Sequence, residues 1–428
     1  MRRVHVTAAV LALSIAVHAS PPQSPANGTP LDAACAKYWA AKDPGEAAKI
    51  AADIVKSGAS FDDIYARLKR GRTYSKDVPT GVVAGRRRQF EYTLDIPPTY
   101  DPARQYQVRI QLHGGVMRPD PSPRGRGGSR LAGAEQIYIS PVGWSQAPWW
   151  SDAQLENLRA ILDTVKRTYN VDENHVAVAG VSDGGTGAYY VAMRDTTPYS
   201  SFLPLNGYIL VLRSPELDVG DLFINNLRNK PLFIVNGGKD PLYPIDLVEP
   251  SIVHMNRGGV GIVYRPQKDA GHDTSWWPAL KDEFEAFVRD QPRKPLPDKL
   301  TWETSETRSW NRAHWLVIEA LGATPGDARD MPDLNRSEGY PVFRNGRSGR
   351  VDLARSGNTI TVATRGVKEF TLLLSPDQFD FAAKVKVVVN GNVAFDDKVE
   401  RSVATLLKWA ARDNDRTMLF GAEIKIRP

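Results

Sequence analysis

A serine between two glycines is the first feature that suggests chemistry. Residues 180–184 read Gly-Val-Ser-Asp-Gly and match the pattern GxSxG, which holds a nucleophilic serine on a sharp turn between a strand and a helix. The apolar run that ends at Val181 predicts a buried strand, and the residues from Gly185 onward predict a helix start. A plain Gly-Ser turn is the alternative, and this flanking pattern counts against it. We therefore expect Ser182 to act as a nucleophile in acyl transfer.

A serine hydroxyl is a weak nucleophile unless a neighbouring base accepts its proton. With GxSxG motifs the acid and then the histidine follow the serine along the chain. The histidines in that part of the sequence are His254, His272 and His314. We expect His272 to be the base, because it follows the last predicted strand of the sheet. A solvated surface histidine is the alternative reading.

An acid must orient the base and stabilise it once it is charged. Asp240 directly follows the predicted strand that ends at Asn236, at the edge where sites assemble in open α/β sheets. Asp246 is the fallback. We expect Asp240 to be the orienting acid, although a loop aspartate is often only solvated.

Acyl transfer also needs donors that face the developing oxyanion. His113-Gly114-Gly115 follows a predicted strand, and its glycines allow the backbone to present N–H groups. We expect the N–H groups of Gly115 and Asp183 to be these donors, with a plain Gly-Gly turn as the alternative.

Aromatic and basic residues cluster in the loops near these positions. The candidates for lining a substrate pocket are His113, Trp144, Trp149, Trp150, Trp276 and Trp277. Ordinary loop packing explains the tryptophans equally well. The segment 117–130 carries Arg118, Arg124, Arg126 and Arg130, which favours a solvated loop over a site for anionic substrates.

The elements that must position these residues alternate between short apolar strands and helices, which is typical of a mainly parallel sheet covered by helices. The predicted strands cover residues 90–96, 107–112, 136–140, 176–181, 202–209, 231–236 and 261–266. Ser151 caps a predicted crossover helix, and a second helix over 278–290 closes the unit. A Pro-rich segment at 291–297 precedes a β-rich region with strands at 359–364, 370–374, 385–389 and 393–395, a helix near 402–411 and a last strand near 418–426.

Two more patterns concern the N-terminal part of the chain. Arg2 and Arg3 precede an apolar stretch of about a dozen residues that ends near Ala19, which is typical of a secretory signal peptide. Two capped helices, beginning after Asp43 and Ser60, predict a helical preface. The division we expect is a signal peptide at 1–19, a disordered spacer at 20–30, the preface at 31–75, an α/β catalytic unit at 85–290, a linker at 291–300 and a β-rich accessory domain at 301–428.

Composition excludes several classes of protein. The 428 residues contain 42% hydrophobic and 24% charged residues, the values of a globular protein. The net charge of +6 is too small and too dispersed for a nucleic-acid binder, and no later segment has the length to span a membrane. Cys35 is the single cysteine and forbids an intramolecular disulfide. No cluster of metal-ligating residues is evident, so we expect neither a metal nor a cofactor.

These motifs, in this order, resemble those of the α/β-hydrolase superfamily over about residues 85–290. More narrowly the chain is similar to secreted serine esterases of the phospholipase/carboxylesterase type, near polyhydroxyalkanoate depolymerases and feruloyl or acetylxylan esterases. The resemblance implies an α/β-hydrolase core. The N-terminal helical preface and the C-terminal β-rich, sandwich-like domain are predicted from their own residue patterns and lie outside the pattern of the family, so the resemblance says little about the substrate. It also implies a serine nucleophile that acts on carboxylic esters without a metal or cofactor. The signal-peptide pattern predicts a secreted or periplasmic location, and the sequence leaves open whether the ester substrate is polymeric. A serine peptidase of the prolyl-oligopeptidase type, or a binding protein with an inert core, remains as an alternative. The sequence leaves the oligomeric state open.

Overall fold

A computed structural model describes residues 29–119, 131–217, 219–322 and 347–428. The predicted signal peptide and residues 20–28 of the predicted spacer lie outside this range. So do Arg124, Arg126 and Arg130 of the basic segment.

An eight-stranded sheet forms the centre of the first half of the chain, in the order β1-β2-β4-β3-β5-β6-β7-β8. The strands are β1 Gly81–Arg87, β2 Phe90–Ile96, β3 Tyr106–Leu112, β4 Ile137–Pro141, β5 Val171–Val181, β6 Ser201–Leu205, β7 Leu232–Gly237 and β8 Ile262–Gln267. Strands β3 to β8 pair in parallel, whereas β1 and β2 are antiparallel to their neighbours. Apolar residues of β3, β4 and β5 are almost fully buried, as expected for strands covered on both faces. The predicted mainly parallel sheet is confirmed.

Four helices cover the sheet, and the first of them begins where the sequence places its cap. They are α4 Asp152–Thr168, α5 Asp183–Arg194, α6 Ile245–Arg257 and α7 Trp277–Asp290. The side chain of Ser151 accepts a hydrogen bond from the N–H of Gln154, which satisfies a donor that the first turn of α4 leaves free. One expectation is wrong: the strand predicted over 202–209 ends at Leu205. Asn206 takes a left-handed φ of 47°, which turns the chain into short 3₁₀ segments from Ile209 onward.

Two further sheets form the C-terminal region. They are built from β9 Lys299–Thr304, β10 Arg312–Ala313, β11 Leu316–Leu321, β12 Gly349–Ser356, β13 Thr359–Arg365, β14 Val367–Leu374, β15 Val385–Val389, β16 Asn392–Asp397 and β17 Ala422–Ile426. One sheet has the order β10-β11-β14-β17 and the other β16-β15-β13-β12-β9. Their inner faces share one buried cluster that contains Trp302, Trp315 and Phe370. The predicted β-rich, sandwich-like domain is therefore confirmed.

The N-terminal helices share a core with the last helix of the chain. The helices are α1 Pro30–Ala40, α2 Pro44–Lys56, α3 Phe61–Arg70 and α8 Val403–Asp413. Their buried residues include Tyr38, Ile64, Leu68, Leu406 and Leu407. The hydroxyl of Tyr38 donates a hydrogen bond to the carbonyl of Leu407, 369 positions along the chain. The preface therefore packs on an element from the opposite end of the sequence. Among the described residues, no helix combines the length and apolarity that a membrane crossing requires.

Candidate active site

Ser182 lies on the turn between β5 and α5, with a φ of 58° and a ψ of −121°. A non-glycine residue with this backbone is strained, and such strain persists only where the surroundings hold it. The N–H of Ser182 donates to the carbonyl of Leu205 on β6, and its carbonyl accepts from Thr186 in the helix. These bonds fix the turn and hold the hydroxyl at the carboxyl edge of the sheet.

The two glycines of the motif allow the helix to approach the sheet closely. A Cβ atom at Gly180 would lie 2.0 Å from the carbonyl oxygen of Gly184, and one at Gly184 would lie 2.2 Å from that of Leu112. Both contacts are with backbone, which cannot move aside. Any side chain at either position would therefore push α5 away and displace the serine.

His272 and Asp240 complete a hydrogen-bonded chain with the serine. The Nε2 atom of His272 lies 2.7 Å from Oγ of Ser182, and its Nδ1 lies 2.7 Å from Oδ2 of Asp240. A carboxylate only accepts, so Nδ1 carries the proton and Nε2 is the acceptor for the serine hydroxyl. The three residues follow β5, β7 and β8, whose carboxyl ends are adjacent in the sheet. The structure therefore brings together the three residues that the sequence singles out.

Backbone donors and neighbouring loops hold the acid and the base in place. The second oxygen of Asp240 accepts from the N–H groups of Leu242 and Tyr243, at 2.8 and 3.0 Å, and the carboxylate is fully buried. Beside His272, the side-chain amide of Asn206 donates to the carbonyl of Asp273 at 2.6 Å. The imidazole thus has one orientation that serves both of its partners.

The alternative residues occupy other places. Asp246 lies in the first turn of α6, and His254 lies further along the same helix. His314 is buried, and its Nδ1 lies 2.8 Å from the carbonyl of Pro295 in the linker. Burial, together with the charges of Lys230 and Arg293, holds the pKa of His314 well below its usual value. The serine hydroxyl is bonded to His272 instead.

The loop after β3 lies against the serine. Strand β3 pairs with β5 so that Leu112 faces Gly180, and the loop therefore starts beside the turn. A Cβ at Gly114 would lie 2.9 Å from that of Ser182, so a larger residue would crowd the hydroxyl. The N–H of Val116 donates to Oδ2 of Asp183 at 2.8 Å. The side chain of Asp183 thus ties this loop to the helix, a function that the GxSxG pattern does not reveal.

His113 supports this loop through both nitrogens of its ring. Its Nδ1 donates to the carbonyl of Gly114 at 2.7 Å, and its Nε2 accepts from the N–H of Gly143 at 3.1 Å. The indole N–H of Trp149 donates to the carbonyl of His113 at 2.8 Å. Both ring nitrogens are therefore engaged with the backbone.

Four of the five tryptophans predicted for the pocket are buried in the packed interior. Trp144, Trp149, Trp150 and Trp276 are between 0% and 7% exposed. Trp277 is half-buried and packs at 5.1 Å on Phe284 of α7. The low exposure of four of these side chains favours the loop-packing alternative for them, whereas Trp277 keeps accessible surface.

Other side chains flank the triad. The ring of Tyr243 packs edge-on against His272, with 5.8 Å between centroids. Met117 and Leu242 are 58% and 55% exposed, and they follow Gly115 and Asp240 respectively by two residues. None of the three was predicted, because an isolated tyrosine, methionine or leucine in a loop carries no pattern in the sequence. Among the described residues, no group of three or more His, Cys, Asp or Glu is placed to hold a metal ion.

Comparisons with known proteins find similarity to solved structures over about half of the chain. A thermostable esterase matches with 18% identity and a TM-score of 0.41, over 50% of this chain and 62% of that one. A ferulic acid esterase matches with 20% identity and a TM-score of 0.39, over 49% of this chain and 96% of that one. An acylaminoacyl peptidase of Pyrococcus horikoshii matches with 14% identity and a TM-score of 0.38, over 51% of this chain and 43% of that one. The match thus spans less than two thirds of the thermostable esterase and of the peptidase. No family model and no curated protein matches.

The topology of the chain itself identifies its fold. Its sheet has the strand order 1-2-4-3-5-6-7-8 with an antiparallel second strand. The serine follows the fifth strand, the acid the seventh and the histidine the eighth. This arrangement matches the strand-turn-helix setting and the residue order of the motif. The predicted fold is therefore confirmed: the chain has the α/β-hydrolase fold.

Proposed function

We propose that this protein is a serine hydrolase that cleaves carboxylic esters through an acyl-enzyme on Ser182. The observation that carries the proposal is the unbroken chain of two 2.7 Å hydrogen bonds from Asp240 through His272 to the serine hydroxyl. The residue types, their tautomer and their order are those that nucleophilic catalysis by serine needs.

In the first step Oγ of Ser182 attacks the ester carbonyl, and the hydroxyl proton passes to Nε2 of His272. The tetrahedral intermediate collapses when the C–O bond to the alcohol breaks, and the histidine returns its proton to the departing oxygen. The acyl group remains on Ser182. The buried carboxylate of Asp240 stabilises the imidazolium that exists between these transfers.

In the second step a water molecule takes the place of the alcohol. His272 accepts a proton from the water as its oxygen attacks the acyl carbon, and then gives that proton to Oγ of Ser182. The carboxylic acid leaves and the free serine is restored. The net reaction consumes one water and needs no cofactor.

The negative charge on the substrate oxygen requires two donors. We assign these roles to the backbone N–H groups of Gly115 and Asp183. Asp183 occupies the first turn of α5, where N–H groups have no acceptor within the helix and where the helix dipole favours an anion. The contact between Gly114 and Ser182 brings the other loop to the same place.

Ester turnover by full-length protein and its Ser182→Ala variant tests the proposal. The panel contains short- and long-chain aryl esters, feruloyl and acetyl sugars, a polyester film and peptide amides. We expect ester cleavage by the wild type and a loss of about three powers of ten or more in the variant. An organophosphonate should label Ser182 alone, and it should fail to label a His272→Ala variant. Undiminished turnover by the alanine variant would overturn the assignment of Ser182. Cleavage of the amides alone would show that the protein is a peptidase and not an esterase.

We also propose that the protein is exported. The support is the basic and apolar pattern of residues 1–19. The mass of the protein recovered from the secreted or periplasmic fraction should correspond to a chain that starts at Ser20, and an intact N-terminus would contradict the proposal.

A further inference from the structure

A cavity of about 500 Å³ lies between the α/β unit, the C-terminal domain and helix α8. Its walls come from α4, from residues 308–312 and from residues 411–418. Thr197 and Pro198 also line it, and they follow the end of α5 opposite to Ser182. A helix of 12 residues is about 18 Å long, so the cavity is separate from the candidate active site. Its volume falls in the range of small-molecule sites, roughly 300–1,000 Å³.

Positive charge predominates in the wall of the cavity. The cationic side chains that line it are Arg87, Arg159, Lys166, Arg293, Arg308, Arg312 and Arg412. The carboxylates are Glu156, Asp163, Asp413 and Asp415. Seven cations thus face four anions, an excess of three positive charges in the wall. Walls of low dielectric strengthen the potential of such an excess inside a cavity.

The buried cations have partners, but one of these partners is shared. Arg312 forms two bonds to the carboxylate of Asp413, at 2.6 and 2.8 Å. Asp415 serves two cations, with Arg293 at 2.7 Å and Lys166 at 3.7 Å. All three cationic side chains are less than 10% exposed. Asp415 is therefore shared by two buried cations. Lys166 also faces the charge of Glu173, and Arg159 is bonded to Asp195, which does not line the cavity. The excess of positive charge therefore lies mainly on the more exposed cations of the wall.

Three arginines of the wall have no carboxylate partner among the described residues. They are Arg87, Arg308 and Arg412. The last two are exposed, and they come from different parts of the fold: Arg308 precedes β10, and Arg412 lies in the last turn of α8. Guanidinium groups that are accessible and unpaired can form two parallel hydrogen bonds to a carboxylate or a phosphate.

Trp310 adds an unused donor to the same wall. Its indole nitrogen is buried and has no acceptor among the described residues. Its backbone has a φ of 51°, a strained value for a large side chain. The guanidinium of Arg159 lies over the ring, 5.4 Å from its centroid. Strain of this kind clusters at ligand clamps. The wall thus presents N–H donors without acceptors, which is the complement of an anion.

We propose that this cavity binds a small organic anion that carries two or more carboxylate or phosphate groups. The exposed Arg308 and Arg412 hold one anionic group at the mouth. The indole N–H of Trp310 donates to an oxygen of the ligand, and Lys166 and Arg293 attract the second charge from behind. This binding is independent of the chemistry at Ser182.

Calorimetric titration of the full-length protein tests the proposal with three probes. Citrate represents a polycarboxylate, inorganic pyrophosphate represents a phosphate anion, and glycerol is the uncharged control. We expect one equivalent of citrate, of pyrophosphate or of both to bind, and glycerol not to bind. Which probe binds more tightly identifies the anionic group. The absence of binding by both anions would overturn the proposal.

Variants locate the binding. The double variant Arg308→Gln/Arg412→Gln should weaken the binding of the anion about tenfold or more. The matched control Lys76→Gln/Arg257→Gln removes the same charge from exposed residues that do not line the cavity, and it should change the affinity less than about threefold. Equal losses of anion affinity in both double variants would show that the anion is attracted to the basic surface in general. That result would contradict a binding site in the cavity.

A conservative substitution provides a second test if the double variant has a lowered melting temperature. Trp310→Phe keeps the ring and removes only the indole donor, and it should weaken binding about threefold to tenfold. Phosphonate labelling of Ser182 should proceed at the wild-type rate in both cavity variants. Anion affinity that is unchanged in Trp310→Phe and in the double variant would place the bound anion elsewhere and overturn the proposal.

Discussion

The carboxylate of Asp183 connects the loop after β3 to the helix that begins beside Ser182. Its bond to the N–H of Val116 spans 67 positions in the sequence and 2.8 Å in space. One proposed oxyanion donor is the N–H of Gly115, the residue before Val116, and the other is the backbone N–H of Asp183 itself. Asp183 therefore acts as a positioning residue: its side chain sets the distance between the two donors, whereas its backbone faces the substrate.

Substitution of Asp183 separates positioning from folding. We expect Asp183→Ala to lower kcat for an aryl ester about tenfold to a hundredfold with little change in KM, because misplaced donors weaken the transition state more than the bound substrate. Asp183→Asn keeps an oxygen that accepts from Val116 and should recover most of the loss. Steady-state kinetics with melting curves make the comparison. A fall in melting temperature with no recovery in the asparagine variant would indicate a merely structural role.

Asp240 and Asp246 form a matched pair on the same segment of chain. Asp240→Asn places an amide where Nδ1 of His272 needs an acceptor, which favours the wrong tautomer, so turnover should fall by about three to four powers of ten. Asp246→Asn removes an exposed carboxylate in the first turn of α6, and turnover should stay within about twofold. Kinetics of both variants at one pH are sufficient, and a reversed pattern would transfer the orienting role to Asp246.

The triad was predictable because each member carries a local signal. Ser182 lies in a five-residue motif, and Asp240 and His272 directly follow apolar runs that read as strands. The carboxylate of Asp183 and the ring of Tyr243 carry no such signal, since their functions depend on partners that only the folded chain brings near. For a related reason the sequence left open whether the tryptophans line a pocket or pack in the interior. Their position in loops is visible in the sequence, but their burial is not.

At the scale of elements, strands that are buried on both faces were the easiest to predict. The second half of β5 is a continuous apolar run. Strand β12 alternates apolar residues with arginine and aspartate, β1 contains two glycines and ends in two arginines, and both were missed. Helix α6 contains Pro250 and also went unpredicted, since proline inside a helix is unfavourable. An interrupted helix of this kind is recognisable only together with the surface that it covers.

The turn between β10 and β11 contains a buried neutral histidine. His314 has a φ of 50°, its N–H donates to the hydroxyl of Thr197, and its ring lies among Lys230, Arg293 and Arg312. Burial and these positive charges hold its pKa well below that of an unfolded chain. Below about pH 6.5 the unfolded state binds a proton that the folded state does not, so the stability contribution of His314 is present above that pH and is lost as the pH falls.

The pH dependence of unfolding should reveal this histidine. For His314→Asn, which tolerates the left-handed backbone and keeps a donor for Pro295, we expect a lower stability at pH 8 but a flatter decline between pH 6.5 and 5. The difference in slope should approach about 1.4 kcal/mol per pH unit. His175, whose pKa is raised by its bond to Asp172, acts in the opposite direction, but it is present in both proteins and cancels. Urea unfolding across this range provides the measurement, and parallel curves would contradict the assignment.

At the scale of the whole molecule, buried polar contacts join the α/β unit to the C-terminal region. The side chain of Asn226 pairs with both backbone groups of Glu303, like a short piece of strand. Asp415 neutralises Lys166 and Arg293 at the same boundary. Removing one partner of a buried ion pair costs several kcal/mol, because the other charge stays behind without water. The Pro-rich segment therefore marks a change in the sequence pattern, but buried contacts join the regions on either side of it.

A chain cut after Arg289 tests how far the catalytic unit depends on the rest. The sequence predicts that such a chain hydrolyses a small ester within about tenfold of the full-length rate, provided that it stays folded. The structure argues against that condition. The cut removes α8, which covers the buried face of α1 and α3, and it removes Asp415 from beside Lys166. We expect the shortened chain to aggregate or to lose its cooperative melting transition, and co-expression of residues 290–428 to restore both folding and ester turnover. Melting curves precede the assays. A shortened chain that melts within a few degrees of the full-length protein and hydrolyses the ester at a comparable rate would establish the α/β unit as an independent domain.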